Sequence, residues 1–378
     1  MKKWLHTALF LFLAACVFTQ HKPKLEFDGQ LSLLSSYAPD NDLQWFTGAR
    51  YLPELNLDIP LDSNHLIDFE ASANLSGSIH TLPFDSADIN GDINPYRAWA
   101  RYSTRQFELR IGLQKIDFGS ATLLRPLQWF NQIDPRDPLQ LTNGVYGALG
   151  RYYFLNNANI WLWGLYGNER RRGFDAVETN PRRPEYGGRI QYPTPRGEFA
   201  FSYHHRTANS MDLPGFPQYE ILPEDRFALD GKWDMKVGLW FEAAYIRKSR
   251  DLGILSHQTL LNVGTDYTFG IGNGFNLVLE HLLVASDQNP FQFAQTAQVS
   301  ATTLTYPLGL FDNLLGVVLY NWTSEDFTFF LNYQRQFKRF TGYLMAFYNP
   351  DIQSGILQNE LVNQFSGPGI RVMLVFDH

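Results

Sequence analysis

The chain of 378 residues contains one cysteine, Cys16, so the rest of it can hold neither an internal disulfide nor a cysteine metal site. Charge is scarce: Asp, Glu, Lys and Arg make up 18% of the chain, against about 25% in soluble domains. The net charge is −7 and no basic tract dominates, which argues against nucleic acid as a partner. After Ala15 there is no apolar run of about 18 residues or more, so no transmembrane helix is predicted. Also missing are a repeat of solenoid or propeller period, a glycine-rich phosphate cradle opening a helix, and paired histidines at metal spacing. No cofactor and no metal are therefore expected.

What is present is apolar and aromatic: 44% hydrophobic and 15% Phe, Trp and Tyr, a balance opposite to that of a disordered chain. Past Leu25 the dominant pattern has period two. Leu25, Phe27, Leu31 and Leu33 alternate with Glu26, Asp28, Gln30 and Ser32. Phe107, Leu109, Ile111 and Leu113 alternate with Glu108, Arg110, Gly112 and Gln114. Successive strand side chains point to opposite faces, so each segment has one apolar and one polar face. About 18 such segments follow one another (16 is the alternative count), most near the ~10 residues that a tilted strand needs to cross a bilayer.

The links between segments alternate in length. Short ones such as 103–106, 155–159, 193–197, 234–236 and 270–274 follow even-numbered segments. Long ones follow most odd-numbered segments: 80–94, 115–144, 168–184, 207–224, 248–256, 286–297 and 349–365. Outer-membrane barrels have short periplasmic turns and long outer loops, whereas a soluble sandwich has no reason for the asymmetry. Tyrosines bracket apolar faces at Tyr96 and Tyr102 and at Tyr186 and Tyr192, as interfacial girdles do. The expected fold is all-β: a transmembrane antiparallel barrel over 21–378, with one long inward-folded loop. Outer-membrane lipids and lipopolysaccharide are its expected surroundings.

Two lysines and an apolar run from Trp4 to about Ala15 open the chain, which predicts a secretory signal over residues 1–20. Leu13-Ala14-Ala15-Cys16 resembles a lipobox. Two outcomes stay open: lipidation of Cys16, or ordinary cleavage between Ala15 and Gln20 with Cys16 discarded. No plug domain is expected before Leu25, and so no energy coupling.

The polar faces would line the lumen. Glu26, Asp28, Glu54, Asp58, Asp68 and Glu70 make the first three strands acidic inside; Arg97, Arg101 and Arg110 follow, and Arg189, Arg226 and Lys232 lie farther round. Acidic and basic arcs would set a transverse field that selects solutes, or Asp68, Glu70, Arg97 and Arg101 would only pair across strands. The stretch 115–144 has no alternation and is too long for an idle loop, since structureless loops beyond roughly 12–15 residues are uncommon. Gly119 could turn the chain sharply, and the prolines deny it a ladder. Asp134 and Asp137 suit turn formation, while Arg125, Trp129 and Arg136 are the expected solute contacts, because a guanidinium fork suits carboxylate or phosphate and tryptophan offers an apolar slide. Arg170, Arg171, Arg172, Arg182 and Arg183 share one outer loop, either to attract anions or lipopolysaccharide phosphates or simply as a solvated loop.

The stretch "RIGLQKIDFGSATLLRPLQWFNQIDPRDP" (110–138) is similar to a segment of several putative porin families, in which a strand ending G-x-Q-x-I leads to an aromatic-Gly pair and a Pro-rich Asn-Asp loop. Over nearly its whole length the chain resembles porin-type Gram-negative outer-membrane β-barrels. The last segment, "GIRVMLVFDH", resembles the C-terminal strand that barrel-insertion machinery recognises, with the usual terminal aromatic displaced by Asp377 and His378. The resemblance implies an integral outer-membrane channel for small hydrophilic solutes, constricted by loop 115–144, and a homotrimer. A barrel that assembles or exports surface polymer is the alternative. A lipid-acting barrel enzyme is disfavoured: Glu280 and His281 are neighbours in one strand and face opposite ways, no H-x-S-N-G stretch is present, and no general base finds a partner at useful spacing, although Ser202 and His204 share a face.

Overall fold

The computed structural model describes residues 22–40, 44–81, 87–349 and 367–378. The leader and its lipobox, and most of the expected outer link 349–365, lie outside the described residues.

The chain forms one antiparallel sheet that closes on itself. Strands β1 (Lys24–Tyr37), β2 (Trp45–Pro60), β3 (Leu66–Thr81), β4 (Ala87–Ser103) and β5 (Phe107–Gln114) make the first arc. After the long link come β6 (Val145–Tyr153) and β7 (Asn159–Leu165), then a two-residue strand, β8 (Glu178–Thr179), inside an outer loop. The ring continues with β9 (Glu185–Thr194), β10 (Gly197–Asn209), β11 (Leu222–Asp234), β12 (Gly238–Lys248), β13 (His257–Phe269) and β14 (Phe275–Asp287). It ends with β15 (Thr296–Pro307), β16 (Asp312–Asn321), β17 (Asp326–Gln336), β18 (Thr341–Asn349) and β19 (Gly367–Asp377). β7 pairs directly with β9 and β1 pairs with β19, so the barrel has eighteen strands, with β8 attached to β10 outside the ring. The higher of the two strand counts expected from the alternation is the one observed. Closure leaves no sheet edge in the ring.

Register fixes which face looks inward. Ser32 pairs with Arg50 and with Val375, and Asp68 pairs with Arg101, so the polar set of each early strand shares one side. The opposite faces carry exposed Leu31, Leu33, Ile111, Leu162, Ile190, Phe199, Val372 and Leu374 all round the ring. Each such side chain gains roughly 1.5–3 kcal/mol when it leaves water. A continuous belt of them, far larger than the patches of soluble monomers, makes lipid the solvent of the outer wall. Tyr186 and Tyr192 stand outward on this belt as expected. Tyr96 differs: the register shifts between Ser72 and Ala73 opposite it, and the Arg97 guanidinium lies over its ring at 4.0 Å. A bulge re-aims the side chain there.

The expected long link 80–94 is instead mostly strand. Ser76 pairs with Asp92, Ser78 with Asn90 and Thr81 with Ala87, so the β3–β4 hairpin runs on beyond the end of β5 with β2 alongside it. Alternation alone could not show this, because Ile79, Ile89 and Ile93 are spaced among short polar residues that also fit a loop.

Candidate functional site: the inner wall and the segment across it

The inner wall changes character around the ring. On β1–β5 it is polar. On β12–β15 it turns apolar, with Trp240, Ala244, Leu260, Leu282, Val299 and Ala301 all buried. An apolar inner wall facing water would be unstable, so something must cover it. The cover is segment 115–144.

That segment leaves β5 and reaches the far wall within a few residues. Gly119 has φ +106°, and a Cβ there would lie 2.3 Å from Glu242 Oε1, so only glycine allows the approach. Glu242 on β12 then accepts hydrogen bonds from the backbone N–H of Ser120 (2.6 Å), Ala121 (2.8 Å) and Leu127 (3.2 Å). Glu280 on β14 accepts from the N–H of Thr122 (2.7 Å), Leu123 (3.1 Å) and Leu124 (2.6 Å), and from Trp240 Nε1 (3.0 Å). Asn262 on β13 donates to the Leu124 carbonyl. These N–H groups have no ladder partners, and carboxylates satisfy them more strongly than neutral acceptors. Between the polar clamps, Ile116, Phe118, Leu124, Leu127, Trp129 and Phe130 join one apolar cluster with Leu149, Trp163, Leu260 and Leu282.

The expected solute contacts fall differently from one another. Trp129 is 2% exposed and packs edge-on to Phe118, so its role is packing, not contact with a permeating solute. Arg125 pairs with Asp117 at 2.7 Å. Arg136 is bound by Asp134 through two contacts of 3.0 and 2.8 Å, and Asp134 also caps the Arg136 N–H, so this pair shapes a turn. Asp137 accepts from the N–H of Leu139 and Leu141. Burial raises the Asp137 carboxyl above its ordinary range, while those N–H groups and Arg50 act the other way. Arg97 closes the segment by donating to the Thr142 carbonyl and hydroxyl.

The wall pairs also divide. Arg101 is bidentate to Asp68, with 2.7 Å at the shortest contact, and Arg110 pairs with Glu108 at 3.1 Å. Glu70 accepts from the Ser72 hydroxyl at 3.4 Å and from the Trp99 indole, with no ion pair to a described cation. Like charges stand directly opposite each other at Asp28–Glu54 and at Asp58–Asp68, pairings that cost stability in an ordinary sheet. Two members of the basic arc expected farther round, Arg189 and Arg226, are not open to the lumen, while Lys232 is half-buried with its ammonium 5.9 Å from the Trp240 ring. Arg189 is bound to Asp230 at 2.6 Å, and Arg226 to Asp175 and Glu224. All are buried beneath the segment or under the loop that carries β8, because a charge in that apolar half must be paired. Arg172 of the arginine-rich loop is buried on Glu185, while Arg170, Arg171, Arg182 and Arg183 stay exposed.

Between the tip of the segment and the first arc a cavity of about 380 Å³ remains. Asp137 and Pro138 form one side. Arg50, Ser76, Ser78 and Asp92 from β2–β4 form another, and Arg371 and Met373 of β19 a third. Arg50, Asp92 and Arg371 were not singled out by the sequence pattern. Their alternation places them inward, but nothing in the sequence says which inward residues the segment leaves uncovered.

No family model and no curated protein matches this sequence. Solved structures do match in fold. OccAB4 of Acinetobacter baumannii shares 11% identity with a TM-score of 0.54, covering 95% of this chain and 98% of its own. OccK5 (OpdH) of Pseudomonas aeruginosa shares 12% with a TM-score of 0.54 over the same shares. An anion-selective porin from Comamonas acidovorans shares 12% with a TM-score of 0.50, covering 94% of this chain and all of its own. The fold is that of a porin-type β-barrel, and its continuous apolar belt marks an outer wall that faces lipid.

Proposed function

We propose that the protein is a passive outer-membrane channel for small hydrophilic solutes, with segment 115–144 as its constriction and the lumen charges as its filter. The observation that carries this reading is asymmetric covering. The segment packs on the apolar inner wall of β12–β15, while Arg50, Ser76, Ser78 and Asp92 of the polar arc face the cavity at its tip, which supports a narrow, off-centre and wet passage. Solutes would enter among the outer loops, pass Asp137 and Arg50, and descend along Glu54, Glu70, Asp28 and Glu26 to the short-turn end. That descent is acidic, with Lys24 paired to Glu26 and Arg101 held by Asp68. Rings of carboxylates favour cations.

Planar-bilayer recording of the refolded protein tests the channel. Discrete conductance steps are expected; folded protein, identified by heat-dependent gel mobility, that gives no steps overturns the reading. Neutralising the opposed pair with Asp28→Asn and Glu54→Gln should lower the potassium-to-chloride permeability ratio by roughly twofold, read from reversal potentials in a salt gradient. An unchanged ratio removes the acidic arc as the filter. In the same reading residues 1–20 direct export. Mass spectrometry of the mature N-terminus should find either cleavage between Ala15 and Gln20 or a lipidated Cys16, and an intact leader contradicts export by this route. A homotrimer is the assembly we assign, and native mass spectrometry in detergent counts the copies.

A further inference from the structure

The cavity beside the segment tip has a more specific chemistry than a water-filled gap needs. It is lined by charge of both signs and by an apolar floor. Arg50 is half-buried, and its Nε is buried without a hydrogen-bond partner among the described residues. None of the described carboxylates lies within ion-pair distance of it. The other cations of the first arc's inner wall are engaged: Arg97 by Thr142, Arg101 by Asp68 and Arg110 by Glu108. Arg50 is thus a cation left facing the cavity, and Arg371 lines the same space from β19. Across from them on β4, Asp92 is exposed, its oxygens turned to the Ile93 N–H and to Asn94. The floor is Leu34, Phe46, Met345 and Met373, and the two methionines belong to a buried apolar cluster. Methionine is flexible and polarisable and adapts to varied apolar shapes. About 380 Å³ is at the lower end of the size range of small-molecule sites.

An inorganic ion would use the charges and waste the floor. An apolar solute would leave Arg50 without a partner. A simple organic anion would have to pass the acidic wall of β1–β3 to leave. A zwitterion with an apolar body matches all three features: its carboxylate at Arg50, its ammonium toward Asp92, its side chain on the methionine floor. Resting on the channel reading, we propose that this cavity binds small zwitterions with an apolar body, of the class of apolar amino acids and their short peptides, during passage.

The test uses L-leucine and its fragments: 4-methylpentanoate lacks the ammonium, 3-methylbutylamine lacks the carboxylate, and glycine lacks the apolar body. Each is titrated against the potassium chloride current of single channels, and binding to the detergent-solubilised full chain is measured by equilibrium dialysis. Leucine should reduce the current and bind at about fivefold lower concentration than any fragment, the scale of one partly exposed ion pair. Arg50→Gln should weaken leucine, glycine and 4-methylpentanoate together and leave leucine no better than 3-methylbutylamine. Asp92→Asn should bring leucine down to the level of 4-methylpentanoate and leave the latter unchanged. Conductance with no preference for leucine, or a preference that survives both substitutions, overturns the site and leaves the channel standing. Leucine binding by a folded protein that never conducts overturns the channel instead, and absence of both overturns both.

Discussion

Glu280→Gln should loosen the constriction more than Glu242→Gln, although both replace a carboxylate by its isosteric amide. In each case one oxygen becomes an NH₂ that can no longer accept. At Glu242 one oxygen takes two of the segment's N–H groups and the other takes only Leu127. An amide oriented with its oxygen toward Ser120 and Ala121 therefore loses a single hydrogen bond. Glu280 uses both oxygens fully: one serves Thr122 and Trp240, the other serves Leu123, Leu124 and Asn262. Either orientation of the amide puts an NH₂ against donors. Each unsatisfied buried donor costs about 1–3 kcal/mol, and Glu280→Gln strands at least two where Glu242→Gln strands one, so it should cost about twice as much. The apolar anchors Phe118, Leu127 and Trp129 remain, so the segment should detach intermittently and not for good. The expected record is excess open-channel noise with excursions to larger conductance, marked in Glu280→Gln and slight in Glu242→Gln. Quiet channels of unchanged size in both variants would show that the clamps do not hold the constriction.

The largest effect on stability is expected from Arg206→Ala. Arg206 is 1% exposed and binds Glu224 and Asp175 at 2.7 Å each, with the Thr179 hydroxyl at 2.7 Å. Its removal leaves part of a buried carboxylate pair uncompensated, a situation that costs about 3–5 kcal/mol. Arg226 and Lys248 still offset Glu224, which keeps the estimate from rising further. Because Asp175 and Thr179 belong to the loop over β9–β11, the damage should appear there first. Trypsin should cut Arg206→Ala quickly at Arg170, Arg171 or Arg182, and the heat-dependent gel shift should come at a clearly lower temperature. Solute ranking should stay as in the parent, since the network lies away from the cavity lining. A variant as protease-resistant as the parent would mean that the network is dispensable for holding the loop.

Much of this was legible in the sequence. The barrel was, because lipid on one side and water on the other force period two through every strand, as at Leu31, Ser32 and Leu33 or at Ile370, Arg371 and Val372. The place of the long link was, because Pro126, Pro135 and Pro138 cannot join a ladder. The inward set of charges was too, as Asp68, Glu70, Arg97 and Arg101 show. Glu242 and Glu280 were readable only as inward carboxylates among apolar neighbours. Their oxygens are more than a hundred residues from the N–H groups they bind, and no local spacing encodes that pairing.

Periodicity alone thus determined the strand faces and narrowed the count to eighteen or sixteen, with long links on one side of the barrel, since those follow from a two-residue repeat and two solvents. Tertiary structure decided which lumen charges remain in water. Arg189 and Arg226 carry the same inward alternation as Arg50, yet the first two are paired and sealed while Arg50 is left to the cavity. The difference lies in where a thirty-residue segment comes to rest across the barrel, and that is set by contacts between distant strands, which a period along the chain cannot record.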